Sequence, residues 1–143
     1  MTSMIRCRTS CWKRSDGGRL NLLLDTHIFI WWRTNDPRLG APARAQIAGA
    51  KEVYVSAASA WETAIKAARG KIRLPEKFEA GVEGSGFLKL AVQFVHADRV
   101  ATLPLHHHDP FDRMLIAQAE IEGLTIISDD QWFAAYDIPL LRA

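Results

Sequence analysis

The sequence contains only two cysteines and no apolar stretch long enough to cross a membrane. Cys7 and Cys11 both lie near the N-terminus, so they cannot form a disulfide framework or a zinc site with four protein ligands. The most apolar run, residues 20–32, contains Asp25 and His27. These residues exclude a bilayer-spanning helix and break the apolar core that a signal peptide requires. We therefore expect a cytoplasmic protein with no membrane-bound segment.

The chain also lacks a general excess of basic residues. Its net charge is +2, but residues 1–20 alone carry +4, so the remainder of the chain carries −2. Proteins that bind nucleic acids non-specifically usually have a basic surface, so an acidic body that handles a polyanion would need bound cations. We predict a basic, loosely ordered extension over residues 1–19. We predict one domain over residues 20–143, which is long enough for an adequate core.

Short apolar runs alternate along this domain with segments of helical periodicity. The predicted strands are residues 20–25, 53–55, 88–94, 124–127 and 138–141. The predicted helices are residues 26–33, 40–48, 56–69, 75–83, 96–102 and 110–122, with a helical turn at 131–136. In the helix at 56–69, the predicted inward face consists of Trp61, Ala64, Ile65 and Ala68. The alternation predicts an α/β fold with a mainly parallel sheet of four to five short strands.

Residues 106–119 (HHHDPFDRMLIAQA) have the pattern of a loop that leads into a helix. Asp109 is placed to cap the helix and Pro110 suits its first position. Asp112 should then share a helical face with apolar residues that point inward: Leu115, Ile116 and Ala119. Buried carboxylates are rare unless they are paired or bind a cation. The alternative is that Asp112 only serves the first turn, as in a capping box.

Acidic residues fall where the predicted strands end or just beyond them. Asp25 ends the first strand, Glu62 follows the second, Asp112 precedes the fourth, and Asp129 or Asp130 follows the fourth. Ligands of open α/β sheets bind at the carboxyl ends of the strands. Two carboxylates about 4 Å apart repel by roughly 4 kcal/mol at an effective dielectric near 20, so a cluster needs a cation. Oxygen ligands favour Mg²⁺ or Mn²⁺, which can lower the pKa of a bound water and orient a phosphate.

Each of these acids also has a purely structural interpretation. Asp25 and Asp130 could cap the elements that follow them. Glu62 could complete a capping box with Ser59 or pair with Lys66 one helical turn away. For the set as a whole these interpretations are weaker, because Ser, Thr and Asn cap as well as acids do.

The remaining polar residues have less specific patterns. We interpret His106, His107 and His108 mainly as a solvated loop, with a supporting role at the site, a substrate contact or direct metal ligation as alternatives. His27 and His96 are interpreted as packing residues. Several basic residues could line an RNA path or could simply be solvated helix faces: Arg113, Lys66, Arg69, Lys71 and Arg73.

Four segments resemble, in order and spacing, the PIN-domain toxins of the VapC type. They are LLLDTHIFIWW, SAASAWETAIKAARGKIRLP, HHHDPFDRMLIAQAE and LTIISDDQWFAAYDIPLL, which together extend from about Leu20 to Leu141. The resemblance implies a three-layer α/β/α sandwich and a Mg²⁺- or Mn²⁺-dependent endoribonuclease. It further implies a homodimer that is inhibited by a cognate antitoxin.

The resemblance also implies roles for individual residues. The first three acids of the family correspond to Asp25, Glu62 and Asp112, and all three would be catalytic metal ligands. The fourth family motif, Asp-x-x-Phe, matches residues 130–133 and therefore favours Asp130 over its neighbour. Accessory roles would fall to Ser128, Thr26 and Asp129, the last of which stands where the family often has a basic or neutral residue.

Two other functions remain compatible with the sequence. One is a catalytically silent PIN fold that binds RNA or protein, and the other is a small-molecule metallohydrolase with histidine ligands. The sequence does not specify the RNA target, the cleavage position, the number of metal ions or the antitoxin.

Overall fold

A single parallel sheet forms the centre of the domain in the computed structural model, which describes residues 19–143. The five strands are β1 Asn21–Leu24, β2 Glu52–Ser56, β3 Leu88–Leu90, β4 Thr125–Ser128 and β5 Leu140–Arg142. Their order is β3-β2-β1-β4-β5, and every neighbouring pair is parallel. The predicted parallel α/β fold is therefore confirmed. The extension predicted for residues 1–19 lies outside the described residues, apart from Arg19.

Two α-helices connect each of the first three strands to the next strand in the chain. The described chain contains α1 Thr26–Thr34, α2 Ala41–Ala48, α3 Ala57–Ala68, α4 Phe78–Gly84, α5 Phe94–Thr102 and α6 Pro110–Glu122. A 3₁₀ helix, Gln131–Ala135, follows β4. Gly49 ends α2, and Gly123, with a φ of 72°, ends α6 as the sequence predicted. Within residues 19–143, no helix is both long enough and apolar enough to cross a membrane.

Alternate side chains of β1 point into two separate cores, one on each face of the sheet. Leu22 and Leu24 pack in the core that includes Phe29 of α1, whereas Leu23 packs in the core that includes Leu115 of α6. This alternation follows from the two-residue period of a strand. Helices cover both faces, which confirms the predicted three-layer α/β/α sandwich.

The predicted inward face of α3 is wrong. Trp61 is 65% exposed, whereas the buried residues of α3 are Ala58, Ser59, Glu62 and Thr63. The other residues of the predicted stripe are exposed or half-buried, because the inner side of α3 carries Ser59 and Glu62, which face a polar group of α1. Thr26 of α1 supplies the partner for both Ser59 and Glu62.

Two further sequence predictions need correction. The third strand ends at Leu90, because Gln93 begins α5 with a capping box in which its backbone N–H donates to His96 Nδ1. Phe94 is therefore a helical residue and is 90% exposed. His27 is exposed and is not a packing residue, whereas His96 is fully buried, as predicted.

Candidate metal centre

Asp25 lies where β1 passes into α1, with β4 beside it. Its Oδ1 accepts a hydrogen bond from the Thr26 backbone N–H at 2.6 Å, so Asp25 does cap α1. Its second oxygen, Oδ2, accepts a hydrogen bond of 2.7 Å from the Ser128 hydroxyl at the end of β4. Both residues are buried. The capping interpretation therefore accounts for only one of the two carboxylate oxygens.

Glu62 is brought to the same region by α3 and is 4% exposed. Its Oε1 lies 2.8 Å from the Thr26 hydroxyl, which also lies 2.8 Å from the Ser59 hydroxyl. Because a hydroxyl has a single proton, Thr26 can donate to Glu62 while it accepts from Ser59. Lys66 donates to Oε2 at 2.7 Å, so the predicted pair one turn apart is present. The capping box with Ser59 is not, because the N-cap of α3 is Ser56.

Asp112 is buried in the first turn of α6 but does not cap that helix. The cap is Asp109, whose Oδ1 accepts from the backbone N–H groups of Phe111 and Asp112 at 2.8 and 3.3 Å. The side chain of Asp112 instead faces His107, with 2.8 Å between Asp112 Oδ2 and His107 Nε2. The capping alternative for Asp112 is therefore wrong.

Asp130 also lies near the imidazole of His107, at the same ring nitrogen as Asp112. Its Oδ1 accepts from the Trp132 backbone N–H, which begins the 3₁₀ helix, and its Oδ2 lies 3.4 Å from His107 Nε2. One potential ligand atom from each of His107, Asp112 and Asp130 lies within 4.8 Å of the others. Asp129 is exposed, so of the two adjacent acids Asp130 is the one that faces the cluster.

His107 departs from the main interpretation of the histidine run as a solvated loop. His106 and His108 are exposed, as a solvated loop predicts, but the side chain of His107 is only 13% exposed. Its position two residues before the cap Asp109 allows the ring to fold back over the first turn of α6. This spacing is the feature of the sequence that could have placed His107 near Asp112. The contact with Tyr136 that orients the loop joins residues too far apart in sequence to be read from the motif.

The electrostatics of the acids favour a bound cation. Burial raises the pKa of Asp112 to about 9. Negative charges on four neighbouring carboxylates act in the same direction: Asp25, Asp109, Glu62 and Asp130. Burial also raises the pKa of Asp25 to about 6, although the Ser128 hydrogen bond opposes this shift. A divalent cation would relieve this repulsion, and carboxylates with one imidazole form a suitable donor set.

The basic residues near the site serve different purposes. Arg113 was predicted as an RNA contact, but its guanidinium donates to backbone carbonyls, among them those of Pro104 at 3.0 Å and Val100 at 2.8 Å. The guanidinium therefore acts as a structural brace, and the RNA contact of Arg113 stays a prediction. Lys66 is paired with Glu62, while Arg69 is exposed at the end of α3.

Comparison with known proteins supports the same architecture. The family described as PIN domain matches residues 22–139. VapBC2 from Rickettsia felis, solved with a DNA fragment from its promoter, is 13% identical with a TM-score of 0.66, covering 87% of this chain and 99% of that chain. DNA-bound VapBC from Salmonella typhimurium is 21% identical with a TM-score of 0.65, covering 86% and 98%. FitAcB from Neisseria gonorrhoeae is 19% identical with a TM-score of 0.60, covering 84% and 96%.

At these identities the solved structures show a shared fold. Comparison with curated proteins found no match to the chain.

Proposed function

Since this chain belongs to the PIN domain family, we propose that it is a Mg²⁺- or Mn²⁺-dependent endoribonuclease and the toxin of a toxin–antitoxin pair. The observation that carries the proposal is the position of Asp112. This carboxylate is 8% exposed, does not cap its helix and is surrounded by other acids. Such an arrangement is costly for folding alone, because buried like charges destabilise one another. A cation held by these acids would offset that cost and explain why they are gathered there.

The proposed metal ligands are Asp25, Glu62, Asp112 and Asp130. When bound, the cation would lower the pKa of water and stabilise the negative charge that develops at a phosphodiester. The protein's contribution is to hold the ligands in place. Thr26 at the start of α1 and Ser128 at the end of β4 hold the carboxylate of Asp25 through hydrogen bonds of 2.6 and 2.7 Å. Lys66 and Thr26 hold both oxygens of Glu62.

Metal-dependent RNA cleavage by matched carboxylate variants tests this proposal. Protein treated with a chelator should leave RNA intact, and added Mn²⁺ or Mg²⁺ should restore cleavage. Asp112→Asn should reduce cleavage by orders of magnitude. Asp109→Asn is the control, because Asn caps a helix as well as Asp and the cap is the role of Asp109. Full activity in Asp112→Asn, or cleavage that persists with chelator, would contradict the proposal.

The main alternative is a catalytically silent PIN fold that binds RNA or protein. The same experiment distinguishes the two functions, because a binding module would retain RNA affinity without metal-dependent cleavage. Four acids gathered at one edge of the sheet favour the nuclease.

We further propose a cognate antitoxin and a homodimer as protein partners, and the cytoplasm as the location, since RNA is the proposed substrate. Large exposed apolar side chains support a protein-binding surface, among them Phe94 at 90% and Trp61 at 65%. The tryptophan pair of α1 supports it less, because Trp31 is buried and Trp32 packs against the core within the same chain. Size measurement of the isolated protein and of the protein with its antitoxin tests both partners.

A further inference from the structure

We propose that His107 is a nitrogen ligand of the cation held by Asp112 and Asp130, so that this centre prefers first-row transition-metal ions to Mg²⁺. The inference rests on the proposed function, since it concerns the identity of the same metal ion. It adds an imidazole to the four proposed ligands, which are all carboxylates.

The positions of Asp112 Oδ2 and Asp130 Oδ2 beside His107 Nε2 suit three ligands of one cation. This buried nitrogen has no hydrogen-bond partner of acceptable geometry among the described residues, although Asp112 Oδ2 is 2.8 Å away and Asp130 Oδ2 is 3.4 Å away. The two carboxylates therefore lie beside the nitrogen without the alignment of a hydrogen bond. Adjacent ligands of an octahedral cation with bonds near 2.1 Å are about 3 Å apart and likewise do not point at each other.

The loop that carries His107 is held in place by Tyr136. The Tyr136 hydroxyl accepts from the backbone N–H groups of His106 and His107 at 3.2 and 3.0 Å, and it donates to the Pro104 carbonyl at 2.8 Å. The imidazole ring also packs edge-on against Phe133, which is fully buried. A ligand that is oriented before the ion arrives loses little conformational freedom on binding.

One contact opposes ligation through Nε2. The Asp109 backbone N–H donates to His107 Nδ1, with 3.4 Å between the nitrogens. A neutral imidazole that binds a cation through Nε2 carries its proton on Nδ1, so this bond must open. At 3.4 Å it is a weak hydrogen bond, and its loss is small beside the gain of a metal ligand.

The chemical consequence is a graded metal preference. Mg²⁺ takes oxygen ligands and surrenders its water reluctantly, whereas affinity for imidazole rises from Mn²⁺ to Co²⁺ in the Irving–Williams order. Removing the imidazole should therefore weaken Co²⁺ binding most, Mn²⁺ binding less and Mg²⁺ binding least. Loss of groups that merely orient a ligand typically costs 10–100-fold in affinity, so loss of a direct ligand should cost at least about tenfold for Co²⁺.

Calorimetric titration of the full chain with MgCl₂, MnCl₂ and CoCl₂ tests the inference, together with pulsed EPR of bound Mn²⁺. His107→Ala is compared with His108→Ala, whose side chain is exposed on the same loop. We expect the graded loss only in His107→Ala, and ¹⁴N coupling to Mn²⁺ in the wild type and His108→Ala but not in His107→Ala. Thermal unfolding with chelator checks that each variant is folded. If His107→Ala is misfolded, the presence or absence of ¹⁴N coupling in the wild type decides the test.

The outcomes separate this inference from the proposed function. Mn²⁺ binding without ¹⁴N coupling in the wild type, or equal metal affinities in the two variants, would overturn the nitrogen ligand and leave the metal-dependent nuclease intact. A wild-type protein that binds none of the three ions would overturn both.

Discussion

At the scale of single residues, three of the four proposed metal ligands also have structural hydrogen-bond partners: Asp25, Glu62 and Asp130. Asp130 uses Oδ1 for the 3₁₀ helix and presents Oδ2 to the cluster. Asp112 is different, because Asp109 performs the capping of α6 and leaves Asp112 without a structural duty. A residue that destabilises the metal-free fold and caps nothing is best explained by a ligand role.

The raised pKa of Asp112 predicts how the stability of metal-free protein depends on pH. Its pKa is about 9 in the folded protein and near the ordinary value of 3.8 in the unfolded chain, so the folded state binds the proton more tightly. Its contribution to stability is complete below about pH 4 and is lost as the pH rises towards 9, by at most about 1.4 kcal/mol per pH unit. Asp112→Asn removes this dependence. Urea unfolding with chelator at several pH values measures the difference, and parallel curves for the two proteins would contradict the prediction.

A second prediction concerns the hydrogen bond between Ser128 and Asp25. Ser128→Ala removes the hydroxyl that donates to Asp25 Oδ2, and a buried acceptor without a donor costs about 1–3 kcal/mol. Both the free energy of unfolding and the affinity for Mn²⁺ should fall.

Ser56→Ala is the control for that substitution. Ser56 is also buried at a strand end and caps α3, so its loss should cost about 1 kcal/mol without changing metal affinity. Equal Mn²⁺ affinities in the two variants would show that Ser128 does not position Asp25.

The acids could be predicted from the sequence because each follows a local signal. Asp112 is fixed by the helical phase of its apolar neighbours, and Asp25 ends an apolar run. His107 could not be placed in the same way. Its orientation depends on Tyr136, which is 29 residues away and contacts it only in the folded chain.

At the scale of elements, α3 illustrates why apolar periodicity fails beside a polar centre. The pattern predicted Trp61 on the inner face, yet Glu62 and Thr63 are buried there. Partners for Glu62 come from Thr26 of α1 and Lys66 of α3 itself, and those contacts satisfy a charge that the core could not accept. Trp61 instead lies on the outside against Phe111, with ring centroids 5.1 Å apart.

Because the Arg113 guanidinium donates to backbone carbonyls, we expect that replacing Arg113 lowers the stability of the fold and leaves RNA binding unchanged. Arg113→Lys cannot reproduce a planar guanidinium that reaches several carbonyls at once, so the melting temperature should fall. The salt dependence of RNA binding should not change. Arg69→Ala, at an exposed position, should give the opposite result if Arg69 contacts phosphate: unchanged stability and a salt slope reduced by about one. A salt slope reduced by about one in Arg113→Ala, which removes the charge, would show that Arg113 contacts phosphate.

Tyr136 is predicted to position His107 through the loop backbone. Tyr136→Phe keeps the ring but removes the hydroxyl that contacts both His106 and His107. We expect weaker Co²⁺ binding with little change in Mg²⁺ binding, as for loss of the imidazole but smaller. Metal affinities measured with Tyr136→Phe combined with His107→Ala give the control, because the two effects should not add if both act through one ligand. Additive losses, or equal losses for the two ions, would indicate a general structural role.

At the scale of the whole molecule, the centre exists because β1 and β4 are adjacent although about 100 residues separate them. Asp25 and Ser128 meet across this pair. The alternation of strands and helices was enough to predict the parallel sheet. The length of β3 was not predicted, because the capping box of Gln93 and His96 competes with the alternating apolar pattern and begins α5 early.

The last prediction concerns the boundary of the domain. Arg19 donates to the Ala50 carbonyl at 3.2 Å, so we place the start of the domain at residue 19 and propose that residues 1–18 are dispensable for folding. Deleting residues 1–18 should leave the melting temperature and metal affinity unchanged, because the proposed metal ligands and the core residues described above all lie within residues 19–143. RNA affinity at low salt should fall, since the deleted stretch carries four basic residues and one acid. A melting temperature lowered by several degrees would instead show that residues 1–18 stabilise the domain.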